Sequence, residues 1–127
     1  LNTILNKLKI KNFSHVFLKV DIEGWEYRLL DDLILHADII EGLVIEFHDA
    51  DLHLNRIENF IKKFPLSLVH THINNYSPLN TNGLPIAIEC SFTCKITSEK
   101  LVSNLPSALD MPNNPLRLED YKISFMV

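Results

Sequence analysis

Two carboxylates close the first strand-like run of this sequence. Apolar residues occupy one face of the run at alternate positions: Val16, Leu18, Val20 and Ile22. Phe17 makes the other face apolar too, which is typical of a strand that is covered on both sides. Asp21 and Glu23 therefore stand at its carboxyl end, the edge at which open α/β sheets bind ligands. Carboxylates in that position can bind a ligand or accept a proton.

Histidines and amides close the next two strand-like runs. The second run has its core at Leu43–Phe47 and carries Glu46 and His48 at its end. The third run, 66–73, leads into four polar side chains: His70, His72, Asn74 and Asn75. An unperturbed imidazole titrates near neutral pH, so His48 and His72 are candidate general bases. The two asparagines are candidates for orienting substrate hydroxyls.

Helical patterns separate these strands and predict how the sheet is connected. Residues 1–12 and 52–64 show amphipathic spacing, and Pro65 stops the second of these helices. Another helix follows Gly24 and turns four apolar side chains inward: Trp25, Leu29, Leu30 and Leu33. The order strand, helix, strand, helix, strand predicts right-handed crossovers and a parallel sheet. Because parallel strands end at one edge, their polar carboxyl ends should share a single rim.

The last third of the chain predicts an antiparallel strand and an irregular tail. From Ile86 the residues alternate between two faces, which after the turn at 80–83 predicts a strand antiparallel to the third. Residues 98–127 contain three prolines and are predicted to form an irregular tail that ends in a short strand at 121–126. The whole chain, 1–127, is predicted to form one α/β domain.

Composition excludes some classes of partner. The formal net charge of −4 argues against nucleic acid. No apolar run approaches the ~20 residues of a membrane span and no signal-peptide pattern is present, so a cytoplasmic protein is expected. Cys90 and Cys94 would lie about 13 Å apart along one strand, beyond disulfide reach. The chain opens on Leu1 and not on Met, which suggests a piece of a longer protein.

Three motifs occur in order along the chain: KVDIEGWE at 19–26, VIEFH at 44–48 and HTHINNY at 70–76. Together they resemble the FkbM family of S-adenosylmethionine-dependent methyltransferases. The resemblance covers residues 1 to about 95 and extends only loosely to the tail. It implies a partial Rossmann-like methyltransferase sheet, mostly parallel with one antiparallel strand and flanked by helices, whose strands are the fourth to the seventh of that fold.

The resemblance also implies roles for the residues of the rim. Methyl transfer to oxygen is an in-line displacement, so the enzyme must align a hydroxyl and remove its proton. Catalytic roles are implied for Asp21, His48 and His72, and cofactor binding for Asp21 and Glu23. Substrate binding is implied for four residues: Glu46, His70, Asn74 and Asn75. The implied acceptor is a hydroxyl of a sugar, a glycan or a polyketide-like small molecule.

The family's first three strands and its glycine-rich cofactor loop have no counterpart in this sequence, which contains no Gly-x-Gly. We therefore expect the C-terminal part of such an enzyme, inactive alone and unable to hold S-adenosylmethionine properly. The strand at 16–22 would be an exposed edge, so the isolated chain should be poorly stable or self-associate. The alternatives are a non-catalytic remnant or binding domain of the same fold, and a metal-dependent hydrolase, for which no nucleophile motif is present.

Several of these residues also have plainer structural interpretations. Glu23 would suit the positive end of the helix that it begins, and Lys19 would pair with Asp21. Trp25 is assigned to core packing. Three further histidines fall in turns or helix flanks, where solvent exposure is expected: His15, His36 and His53.

A divalent metal is a further hypothesis for the histidines. His70 and His72 would project from one face of their strand about 6.6 Å apart, a separation that one ion tolerates after side-chain adjustment. His48, Glu46 or Asp21 from neighbouring strands would complete the ligand set. Histidines that bond substrate or backbone are commoner than metal ligands, so no metal-binding residue is assigned.

Overall fold

The computed structural model describes residues 3–4, 15–95, 104–108, 110–116 and 119–124. Most of the helix predicted at 1–12 lies outside these residues, as do parts of the predicted tail. Four strands of the described part form one sheet: β1 (Val16–Val20), β2 (Ile40–Phe47), β3 (Ser67–Ile73) and β4 (Ile88–Thr93). Two short tail strands, β5 (Asn104–Leu105) and β6 (Ile123–Ser124), pair with each other.

The sheet has the order β1-β2-β4-β3. β1 pairs in parallel with β2, whereas β4 pairs antiparallel with both β2 and β3. The predicted antiparallel pairing of β3 with the strand that follows it, β4, is therefore confirmed. Because β4 lies between them, β2 and β3 run in the same direction without touching, and β1, β2 and β3 all end at one edge.

Two α-helices of the described part connect the strands, α1 (Leu30–Leu35) and α2 (Ala50–Lys63). α1 is flanked by 3-10 turns at Glu26–Arg28 and Ala37–Ile39. α2 ends just before Pro65, as its predicted stop requires. Its apolar stripe buries Ile57 and Phe60 against the sheet.

A single apolar core joins one face of the sheet to both helices. At its centre are Leu43, Ile45 and Phe47, which have no exposed surface. Four phenylalanine rings extend the core from β2 to α2 and β4: Phe47, Phe60, Phe64 and Phe92. Phe60 stacks on Phe64 at 4.8 Å between ring centroids and meets Phe92 edge-on at 5.7 Å.

The predicted fold class, a Rossmann-like methyltransferase sheet, is wrong for the described residues. They form a small mixed sheet of four strands, in which one pair of neighbours is parallel, together with two α-helices. The core lies on one face, and on the other face Phe17 of β1 keeps 69% of its surface exposed. The residue pattern of β1 resembles that of a strand covered on both sides, but Phe17 instead lies over Gly42, whose missing side chain leaves room for the ring.

The chain after Gly24 also differs from the prediction. It forms a 3-10 turn first, and α1 begins only at Leu30. The assignment of Trp25 to the core is wrong, because 57% of its surface is exposed and the guanidinium of Arg28 lies 4.0 Å from its ring centre. Among the histidines expected to be exposed, His15 is exposed, whereas two others are half-buried: His36 and His53.

Cys90 and Cys94 are both free thiols, as their predicted separation requires. Burial raises the pKa of Cys90 to about 12, so its thiol stays protonated and unreactive. No helix of the described residues is long and apolar enough to cross a membrane. The cytoplasmic location stays a prediction. Self-association through β1 also stays a prediction: β1 pairs with β2 on one side, and its outer edge pairs with no strand of the described part.

We expect Phe60→Ala to lower the free energy of unfolding by about 3–5 kcal/mol, since it leaves a cavity among three packed rings. The measurement is urea unfolding followed by circular dichroism. Leu52→Ala is the matched control, because Leu52 lies on the same helix but is 75% exposed, and it should change stability by less than about 0.5 kcal/mol. Equal losses in the two variants would contradict the assignment of the core.

Candidate functional site at the carboxyl ends of the strands

A buried glutamate fixes the loop that follows β1. The side chain of Glu26 has no exposed surface, and its Oε1 accepts hydrogen bonds from the backbone N–H groups of Ile22 (3.1 Å) and Gly24 (3.2 Å). Between them, Glu23 has φ 55°, in the left-handed region that a residue other than glycine rarely adopts, and Gly24 has φ 93°. The two hydrogen bonds hold this strained backbone in place.

The same carboxylate orients the imidazole at the end of β2. The ring Nδ1 of His48 lies 2.9 Å from Oε1 of Glu26, close enough to donate a hydrogen bond. Nε2 therefore faces the opposite way, 3.5 Å from Oε2 of Glu23 and 3.8 Å from Oε1 of Glu46. The hydroxyl of Tyr27 donates to the backbone carbonyl of His48 at 2.7 Å and fixes the chain on the other side of the ring.

The electrostatic surroundings of His48 favour its charged form. Burial of the ring opposes protonation, but the hydrogen bond to Glu26 and the negative charges of Glu26, Glu46 and Glu23 outweigh it, so the pKa of His48 is raised. The imidazole thus holds a proton more strongly than a free histidine does.

The end of β3 reaches the same place through an amide. Asn74 donates a hydrogen bond from Nδ2 to Oε1 of Glu46 at 2.7 Å. Asp21 joins the group from the end of β1, where Lys19 lies 3.5 Å from its carboxylate. The ends of three strands thus bring five of the predicted site residues to one edge. We call this group the carboxyl rim: Asp21, Glu23, Glu46, His48 and Asn74.

The other three predicted site residues turn to the tail. His70 lies 2.7 Å from Asp110, and His72 lies 3.0 Å from Asp120. Asn75 is buried and accepts a hydrogen bond from the backbone N–H of residue 114 at 2.7 Å. These side chains contact tail residues and Glu89 of β4, whereas Nε2 of His48 lies near Glu23 and Glu46. The catalytic role of His72 stays a prediction.

Negative partners also shift the pKa values beneath the tail. Burial opposes protonation of His72, but hydrogen bonds to Asp120 and Glu89 and their charges raise its pKa overall. Burial alone would raise the pKa of Asp110, yet its bonds to Ser107 and the charges of His70 and His72 lower it overall. The charged forms of His72 and Asp110 therefore stabilise the contacts between the sheet and the tail.

Sequence reasoning missed Glu26, Asp110 and Asp120 as residues that position the site histidines. Glu26 lies near the start of the helix predicted after Gly24, a position that carries no signal of burial. The two aspartates gave no signal, because they lie in an irregular segment far along the chain from the histidines that they meet.

Compared with known proteins, the chain matches no protein-family model, no curated protein and no solved structure. The chemistry of the carboxyl rim is therefore inferred from its own side chains.

We expect Glu26→Ala to destabilise the chain by about 1–3 kcal/mol for each buried donor that it leaves unpaired. Thermal and urea unfolding measure the loss. Glu58→Gln is the matched control, since it removes an exposed carboxylate that lies 3.5 Å from Lys62, and such surface pairs contribute about 0–1 kcal/mol. Glu26→Ala behaving like the control would show that the buried carboxylate does not hold the loop.

A second expectation concerns pH. Because the folded pKa of His72 is raised, its contribution to stability is complete below its usual pKa near 6.5 and is lost as the pH rises through the folded value. The raised pKa of His48 makes its contribution to stability depend on pH in the same direction. The melting temperature should therefore fall as the pH rises above about 6.5, the usual histidine pKa, through the raised folded values. His72→Gln should make that fall smaller.

The control for pH is His15→Gln, which removes an exposed imidazole at the other end of the sheet. It should leave most of the pH dependence in place. A melting temperature of the unsubstituted chain that is constant or rises over the same range would contradict the raised pKa values.

Proposed function

We propose that this chain is part of an S-adenosylmethionine-dependent O-methyltransferase and that the carboxyl rim binds the acceptor hydroxyl. The three motifs that resemble the FkbM family support the reaction class. The observation that carries the proposal is the orientation of His48, whose Nδ1 is held by buried Glu26 while Nε2 faces the other carboxylates of the rim.

His48, in its neutral form, is the proposed proton acceptor, and its raised pKa makes that form a stronger base. When the hydroxyl oxygen accepts the methyl group and the bond between that carbon and the sulfonium sulfur breaks, the hydroxyl proton would pass to Nε2. The negative charge of Glu26 would stabilise the imidazolium that results. Glu46, held by Asn74, lies beside the same nitrogen and is placed to accept a hydrogen bond from a second hydroxyl of a sugar or glycan. Two neighbouring hydroxyls would in this way fix the direction of the acceptor.

The rim fits one end of the cofactor. S-adenosylmethionine, when bound, supplies an electrophilic methyl group on a sulfonium. The carboxylates of Asp21 and Glu23 are anionic and accessible, which suits them to a cationic group at this edge. The glycine-rich loop expected for the nucleotide end is not in this sequence.

A binding domain without catalysis is the second candidate. Trp25 is exposed and lies two residues after Glu23 of the rim in the sequence. Arg28 covers one side of its ring. An exposed indole with one free face is a platform on which a sugar ring stacks. This candidate requires Trp25 for ligand binding and does not require His48.

The experiment uses the protein with everything that its reading frame encodes on either side of this sequence. Transfer of a labelled methyl group to a panel of sugars and glycans is measured for the unsubstituted protein, His48→Gln and Asp21→Asn. We expect His48→Gln to lower kcat by about 10²–10⁴-fold, the usual contribution of a general base. His36→Gln is the control, because His36 lies beside Asp32 on α1, away from the rim.

Full activity in both rim variants would contradict the proposed site. If no methyl transfer is found but sugar binding is lost in Trp25→Ala and kept in His48→Gln, the binding domain is the correct function. Melting curves of every variant separate a lost reaction from a lost fold.

A further inference from the structure

We propose that the carboxyl rim is also a binding site for a divalent transition-metal cation, with Asp21, Glu23 and His48 as its ligands. One ligand atom from each residue, two carboxylate oxygens and an imidazole nitrogen, lies within 4.8 Å of the other two. Bonds of about 2.0–2.2 Å to one ion place such atoms roughly 3–4 Å apart. Oε2 of Glu23 already lies 3.5 Å from Nε2 of His48, within that range, so binding requires mainly that the carboxylate of Asp21 moves closer.

Buried Glu26 also favours a cation at this edge. Its Oε2 is buried and has no hydrogen-bond partner, while Oε1 contacts the loop at Ile22 and Gly24 and the Nδ1 of His48. The carboxylate therefore lies on the Nδ1 side of His48, opposite the nitrogen that faces Glu23. A metal ion on Nε2 of His48 would place further positive charge near this buried carboxylate.

The pairing of Glu26 with His48 matches the usual support of a metal-binding histidine. Such histidines donate the ring N–H that is not used for the metal to a carboxylate or carbonyl, which fixes the ring and makes the free nitrogen a better ligand. In His48, Nδ1 is the nitrogen held by Glu26 and Nε2 is the one that faces Glu23. The other described histidines with carboxylate partners lack a third ligand within the same reach.

The excess of acidic side chains around the rim also favours a cation. Four acidic side chains surround His48 at this edge: Asp21, Glu23, Glu26 and Glu46. Asp49 adds a fifth, with Oδ2 4.0 Å from the place that a Cβ would take at Gly24. Lys19 lies near Asp21, but its side chain is 69% exposed and screened by solvent. The excess of negative charge attracts a cation to this edge.

The donor set selects the class of metal. Carboxylate oxygens alone suit Mg²⁺ or Ca²⁺, whereas an imidazole among them favours Zn²⁺ and the later first-row ions. A metal on Nε2 occupies the lone pair that proton transfer to His48 would use. Metal binding and proton acceptance at His48 therefore exclude each other, and the cation would act on the proposed enzyme as an inhibitor.

Titration calorimetry with Zn²⁺, on the same protein with everything that its reading frame encodes and without cofactor or acceptor, tests the site. Co²⁺ absorption reports the ligand geometry. We expect one ion per chain. Glu23→Gln and His48→Gln should each weaken binding at least 10-fold, and Glu26→Gln should weaken it about 10–100-fold through the lost support of His48. Glu23→Gln is the decisive variant, because its exposed side chain can change without loss of the fold.

His36→Gln is the control and should bind Zn²⁺ as the unsubstituted chain does. The proposal is overturned if the chain binds no Zn²⁺ at millimolar concentration, if Glu23→Gln and His48→Gln bind as tightly as the unsubstituted chain, or if the control loses binding to the same extent as they do. None of these results depends on methyl transfer, so the failure of the proposed function leaves the test intact.

Discussion

The buried carboxylate of Glu26 is the interaction on which the candidate site depends. A carboxylate without exposed surface is costly to desolvate, and here two backbone N–H groups and the ring of His48 compensate for that cost. The two N–H groups come from either side of Glu23, so the same contacts that satisfy Glu26 also hold the left-handed backbone there. The ends of β1 and β2 are thereby joined through one side chain.

The two faces of the sheet make different kinds of contact. One face is apolar and packs against α1 and α2, so burial of hydrocarbon stabilises it and its contacts are insensitive to charge. Toward β3 and β4, the chain instead meets tail residues through histidine–carboxylate pairs. Stability against pH therefore depends on the polar contacts, while mutations that leave cavities act mainly on the apolar face.

The sequence correctly predicted those features of the fold that depend on local residue patterns. The core of β2 at Leu43–Phe47 and the stop of α2 before Pro65 follow from apolar periodicity and from proline geometry, and both appear in the structure. The meeting of Glu46, His48 and Asn74 was predictable because β2 and β3 run in the same direction. The insertion of β4 between them was not, since alternation of residues says how a strand is covered but not which neighbours it pairs with.

The part of the site that the sequence did not predict is the part set by distant contacts. His70 and His72 have the residue types of a catalytic or metal-binding pair, and only the position of Asp110 and Asp120 in space assigns them to the tail. His48 differs because its supporting carboxylate, Glu26, is fixed by the turn that directly follows β1, so its ring is oriented by local structure and not by the tail. An imidazole with one nitrogen held by a buried anion leaves its other nitrogen with a defined direction and a strengthened affinity for positive charge, whether a proton or a metal ion. The chemistry of this chain therefore concentrates at His48, where a rigid, buried anion and accessible carboxylates lie on opposite sides of one ring.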